Sequence, residues 1–337
     1  MPIEALKCPN CAAPVPPSVD RVLVCQYCNH VLTGVPTLPW GRAGDAADEE
    51  RPDDVGRPRV QVAGRAYVIL GRLAQGDSSD VFLARRDARL TEMVTLKVLR
   101  ANADADLLAR EWKALDDLSK SEEQGAPYFR SLLPQPVAHG KLRSKDTDAR
   151  LTSVFRWRSG FQHTFEDITR EYPSGVDPRA AVWLWKRALE LLGWVHRSGF
   201  THGAIVPQHL LVHPRDHGVV LVGWSCAVRG RDPLPAVSAR ARVYYPDGVF
   251  PGAPVTQTVD LVMLARCIAR VLGGDPARGR VPESVPAPLA SLVREWCMTS
   301  PSAGADDPWE LMERVSQAGK AAFGPARYVP FHLPGWS

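Results

Sequence analysis

The chain has 337 residues, 45% of them hydrophobic and 23% charged, the proportions of an ordinary soluble globular protein. That length accommodates one large domain or two of unequal size. A formal net charge of +4 spread over it is too weak to argue for nucleic acid or a membrane surface as partner.

The chain opens MPIEALKCPNC, with no basic region leading into an apolar core, so no secretory leader is expected. The most apolar stretches lie near Trp183–Val195 and Val259–Leu272. They are broken by Lys186, Arg187 and Glu190 and by Arg266 and Arg270, short of the about 18 clean apolar residues a membrane span needs. A cytoplasmic protein with no membrane partner is the expectation.

Of seven cysteines, four fall in the first 28 residues as Cys8-Pro-Asn-Cys11 and Cys25-Gln-Tyr-Cys28. Two residues between thiolates let a tight turn present both sulfurs to one ion, and the intervening segment can form a hairpin with Val22–Val24 as one strand. Two such knuckles make a closed tetrahedral four-sulfur site, the arrangement zinc takes in structural roles. The segment resembles zinc ribbons, with Ala12 and Asn29 where glycines are usual. Four thiolates leave no open coordination position, so the zinc is expected to hold a small fold together and not to catalyse. A redox Cys-x-x-Cys is the alternative. Only Lys7, Arg21 and His30 lie nearby as positive charge, so the ribbon is expected to dock on protein rather than nucleic acid.

Residues 1–35 thus form a zinc-ribbon module. Residues 36–60 are rich in Pro, Gly, Asp and Glu, with Trp40 almost the only bulky apolar group, and read as a flexible linker. Residues 61–323 read as continuously globular, and 324–337 as a tail bearing Tyr328, Phe331, His332 and Trp336 that straps across the body or docks on a partner.

In the globular part, Tyr67–Leu73, Asp80–Ala84 and Met93–Leu99 are predicted strands. Asp104–Leu118 is predicted helical, with Leu107, Leu108, Glu111, Leu115 and Leu118 at helical spacing. Strands follow at Val137–Leu142 and Leu151–Trp157. Asp177-Pro178 caps a helix to Arg197, on which Trp183, Trp185 and Trp194 read as core. A strand pair, His209–Val212 and Val219–Val222, precedes a largely helical remainder. Strand-rich first and helix-rich second makes an α+β chain of two lobes. Cys226, Cys267 and Cys297 read as buried apolar fillers.

From Tyr67 to about Val315 the chain resembles the protein kinases. Ala74-Gln75-Gly76-Asp77-Ser78-Ser79-Asp80-Val81 stands where that family has its glycine-rich phosphate loop, with only Gly76 matching. Asp77 and Asp80 put carboxylates where phosphates would lie. Lys97, in Val94-Thr95-Leu96-Lys97, matches the phosphate-binding lysine, and Glu111 matches the helix glutamate that pairs with it. The resemblance makes Gly76, Lys97 and Glu111 the nucleotide contacts if ATP binds at all; an ion pair serving the fold alone is the other reading. The catalytic loop is Thr201-His202-Gly203-Ala204-Ile205-Val206-Pro207-Gln208-His209, so that Ala204 replaces the base aspartate, Val206 the lysine and His209 the magnesium-binding asparagine. Gly223, in Val222-Gly223-Trp224-Ser225, replaces the second magnesium ligand.

Alanine accepts no proton, and losing a general base costs about 10²–10⁴ in rate. Glycine has no oxygen to offer magnesium, and imidazole is too soft for it. The resemblance therefore implies a pseudokinase: no catalytic residue, no magnesium, and work as a scaffold or regulator of another protein. An atypical phosphoryl- or nucleotidyl-transferase and a ribbon-based nucleic-acid regulator are the rivals. By the same resemblance Phe155 is the gatekeeper, with Arg156–Gly160 as hinge. Thr164–Ile168 begins the next helix, Asp260 braces the catalytic-loop backbone, and His202 packs beneath it. Asp216 and His217 read as surface loop. Tyr245-Pro246-Asp247 stands for Ala-Pro-Glu, without the arginine expected near Pro301. The segment between Val228 and Val243 offers only Ser238 as a hydroxyl, a poor match to a phosphorylated activation loop.

Overall fold

The computed structural model describes residues 8, 11, 22–25, 31–33, 57–143, 149–214, 218–302, 307–329 and 332–333. Cys28, Trp40, Asp216, His217, Phe331, Trp336 and most of the expected linker lie outside them.

At the N-terminus, β1 (Val22–Val24) and β2 (Val31–Thr33) pair antiparallel, with Leu23 opposite Leu32. Val22–Val24 is a strand as expected, but its partner lies beyond Cys28, so this hairpin brackets the second cysteine pair and is not one formed between the two pairs.

Six further strands close into a barrel. In chain order they are β3 (Arg59–Val62), β4 (Arg65–Gln75), β5 (Ser79–Arg86), β6 (Met93–Leu99), β7 (Pro136–Arg143) and β8 (Arg150–Arg156). β3 was not expected from the sequence, and it begins inside the stretch assigned to the linker up to residue 60. Its buried Val60 and Val62 alternate with exposed Arg59 and Gln61, a pattern too short to stand out beside the charged run before it. A two-residue turn joins β3 to β4, with both Ala63 and Gly64 at positive φ. That geometry follows the right-handed twist of the paired strands. Val60, Val62, Tyr67, Leu96, Val98 and Val154 are among the side chains filling the barrel.

Alternation on β6 places Val94, Leu96 and Val98 inside and turns Thr95 and Lys97 to the other face. Helix α1 (Ala105–Ser119) lies against β7 and β8 and buries Leu108, Glu111, Ala114, Leu115 and Leu118 as one stripe. A short α2 (Ala126–Arg130) precedes β7.

The rest of the chain builds a second, larger core. β9 (His163–Thr164) leads into α3 (Phe165–Glu171), which opens with a capping box between Thr164 and Asp167. Asp177 caps α4 (Pro178–Arg197) by accepting the Arg179 N–H, and Pro178 takes the first helical position. Trp183, Trp185 and Trp194 are all buried, as their spacing predicts. β10 (Phe200–Thr201) pairs with β13 (Val228–Arg229), while β11 (Leu210–His213) lies between β9 and β12 (Gly218–Leu221). Helix α5 (Thr258–Val271) is buried on every side apart from Arg270, the mark of a central helix. α6 (Ala287–Met298) and α7 (Pro308–Phe323) complete the shell.

The tail returns to this body. Leu333 is buried in the larger core, and the Tyr172 hydroxyl donates to the His332 carbonyl at 2.6 Å. Among the described residues no helix is long and apolar enough to cross a membrane.

Candidate functional site

β6 and α1 each carry one charge toward the other. Lys97 Nζ lies 2.6 Å from Glu111 Oε2, their side chains only 15% and 2% exposed. Charged groups this deep stay ionised only when partnered, and both are fully engaged. Lys97 also donates to Ser225 Oγ at 3.1 Å, and Glu111 Oε1 accepts the Trp224 N–H at 3.1 Å. The pair thereby clamps the segment that follows β12.

That segment starts at Gly223, whose φ of +80° favours glycine. A Cβ there would lie 2.5 Å from the His209 ring. Any side chain at this position would start against an imidazole. His209 is held by its own bond, Nδ1 donating to the Ala204 carbonyl at 2.8 Å. Burial lowers its pKa, helped by the nearby Lys97 charge.

The loop beneath is organised by Asp260 at the start of α5. One carboxylate oxygen accepts the Gly203 N–H at 2.8 Å; the other accepts the His202 N–H at 2.7 Å and His196 Nε2 at 3.0 Å. Asp260 is completely buried and stands where the sequence places the brace. His202 is also completely buried. Its Nδ1 accepts the Ala204 N–H while Nε2 donates to the Val222 carbonyl, so the ring is neutral with its proton on Nε2. Burial pushes its pKa down to about 3. The ring packs edge-on against Trp224, centroids 4.6 Å apart. It is a packing group, unavailable as a base near neutrality.

Gly76 sits at the β4–β5 turn, donating to the Ser79 carbonyl at 2.8 Å and accepting from Arg100. Asp80 pairs with Arg100 at 3.4 Å. Asp77 reaches out of the barrel, accepting from Ser238 Oγ at 2.7 Å and pairing with Arg240 at 3.3 Å. The turn corresponding to a phosphate loop is therefore tied to the 238–240 segment by the protein's own charges. Ser238 acts here as a donor to a carboxylate.

Two features escape the sequence reading. Arg266, 7% exposed, donates to the carbonyls of Val243, Tyr245 and Cys297 and so fastens the 243–245 segment to the end of α6. Its signal was an arginine inside a run too apolar for the surface and, with Arg270, too interrupted for a membrane. Cys226, expected as a buried filler, is only half-buried because it lies where the clamped 223–226 turn comes to the surface. It donates to the Ala236 carbonyl, and burial of its thiol raises the pKa to about 11. Cys267 and Cys297 are wholly buried. A cavity of about 470 Å³ opens away from this site, lined by residues of both signs, among them Asp117, Lys120, Glu122, Arg197 and Arg229.

At the N-terminal hairpin, Cys8, Cys11 and Cys25 are each buried and their sulfurs all lie within 4.8 Å of one another. Cys11 and Cys25 sulfurs are 3.6 Å apart. Tetrahedral zinc with bonds of about 2.3 Å sets its sulfurs about 3.8 Å apart, so the three thiols fit such an ion.

No family model matches the chain, and no curated protein matches it in sequence. In fold it is similar to the kinase domain of BubR1, with a TM-score of 0.57 and 12% sequence identity over 78% of this chain and 82% of that one. The likeness shows a kinase-like fold.

Proposed function

We propose that the chain is a cytoplasmic pseudokinase, a two-lobed kinase-like body that regulates or scaffolds another protein without transferring phosphate. The observation that carries this reading is the His209 ring standing against Gly223, with Ala204 in place of a base. Phosphoryl transfer depends on metal ions that neutralise the moving charge, and neither of the two magnesium positions offers an oxygen side chain. Lys97 and Glu111 serve the fold by holding Trp224 and Ser225. The N-terminal cysteines form a structural zinc site: Cys8, Cys11 and Cys25, joined by Cys28 from the same spacing, would hold the ion. Zinc there supplies cross-linking of a hairpin too small to fold unaided, and the ribbon adds a protein-docking surface.

The close Lys97–Glu111 pair also favours a second reading, a nucleotide-binding transferase that uses this cleft differently. Calorimetric titration with ATP, with and without magnesium or manganese, separates the two when run beside transfer of labelled phosphate and AMP to the protein and to generic substrates. The pseudokinase reading expects no metal-dependent transfer. Transfer that disappears in Lys97→Met establishes the second reading instead. Gly223→Asp is expected to lose about 2 kcal/mol of stability through positive-φ strain and collision with His209, without gaining magnesium-dependent nucleotide binding.

A further inference from the structure

The tail makes one contact that neither the ribbon nor the kinase-like body needs for itself. The Tyr328 backbone N–H donates to the Cys11 carbonyl at 2.9 Å. Four residues on, the His332 carbonyl is held by the Tyr172 hydroxyl, and Leu333 is buried in the larger core. Four residues of chain span at most about 14 Å. Whatever path the chain takes between them, the two hydrogen-bonded points of the tail are therefore within that reach of each other, one holding Cys11 and the other Tyr172 at the end of α3.

Cys11 is both a metal ligand and the acceptor for the tail. Its carbonyl has a fixed place only while the knuckle is folded, and a knuckle of this size is folded only while its sulfurs share an ion. We infer that zinc binding by the cysteines and docking of the tail at Tyr328, His332 and Leu333 are energetically linked, the ribbon acting as a metal-dependent clasp on the C-terminal strap. The inference rests on the reading of the cysteines as a zinc site and adds to it a direction of control. The metal fastens the tail, and the tail tightens the metal. Linkage makes the two effects equal: the factor by which zinc favours the docked tail is the factor by which the docked tail favours zinc.

The size follows from the contact. One backbone hydrogen bond contributes modestly, so coupling of about two- to tenfold is expected. Full-length protein is prepared as wild type, Tyr328→Pro, which deletes the donor, and Tyr328→Ala, which keeps it. Zinc content is measured first, then zinc affinity by competition with a chelator, then amide exchange across residues 324–333 before and after zinc removal. Tyr328 lies outside every helix and strand, so the proline disturbs no regular element.

Expected are about one zinc per chain, weaker zinc binding in Tyr328→Pro by the stated factor, a smaller loss in Tyr328→Ala, which keeps the backbone donor, and faster tail exchange once zinc is removed. Wild-type protein that binds no zinc overturns the metal reading. Zinc-bound protein whose tail exchange ignores zinc removal overturns the clasp alone, and so does equal zinc affinity in all three chains.

Discussion

The two walls of the candidate site are held together differently. On the barrel side, Lys97 and Glu111 are opposite charges from separate elements, each satisfied by the other and by the turn they clamp. On the loop side, His202, Ala204, His209 and Gly223 present no charge near neutrality, and order comes from one buried carboxylate, Asp260, gripping backbone. Lys97, Glu111 and Asp260 are each tied to partners from other elements.

Removing the loop-side anchor breaks that contrast most severely. Asp260→Ala strands the His202 and Gly203 amides and His196 in a dry core, and unfolding in denaturant should show a loss of about 3–5 kcal/mol. Glu111→Gln acts on the other wall, leaving the Lys97 charge without its counter-ion, and should lose about 2 kcal/mol in the same measurement. If the pair is purely structural, the apolar double variant Lys97→Met with Glu111→Leu should recover part of that loss, which a nucleotide site would have no reason to do.

Acid tests the uncharged wall. An unfolded histidine titrates near 6.5, whereas buried His202 is pushed down to about 3. Between those values the unfolded chain binds more protons, so the stabilising contribution is complete above pH 6.5 and fades as pH falls toward 3. Melting temperature measured from pH 7.5 to 4.5 should drop, with a shallower slope in His202→Asn. The smallest effect belongs to the exposed latch. Asp77→Ala should change global stability by less than about 1 kcal/mol, yet amide exchange at residues 76–80 should quicken as the turn parts from Ser238 and Arg240.

Most of this fold is legible in the sequence where local rules and burial agree. The β-rich run Met93–Leu99 is a strand as read, and Asp177-Pro178 marks the start of α4. The start of α3 at Thr164 was readable through the kinase resemblance, and the structure adds the capping box that fixes it. The register of residues 201–212 was readable because Pro207 precedes an apolar strand. What the sequence hides is nonlocal. β3 is short and follows a charged run, and only pairing with β4 and β7 makes it a strand. Arg266 bonds three carbonyls, and carbonyls leave no trace in residue identity. The meeting of Tyr328 with Cys11 joins positions more than 300 residues apart by a hydrogen bond between backbone atoms.

Closure of the barrel carries one more consequence. Because β3 pairs with β7 as well as β4, the ring has no open strand flank where a visiting peptide could add itself as a seventh member. Recruitment by backbone annealing is thereby closed off on that side. On the barrel, contact with any other molecule is left to side chains on its outer face and to its turns, which makes it depend on surface composition and open to alteration by single substitutions there.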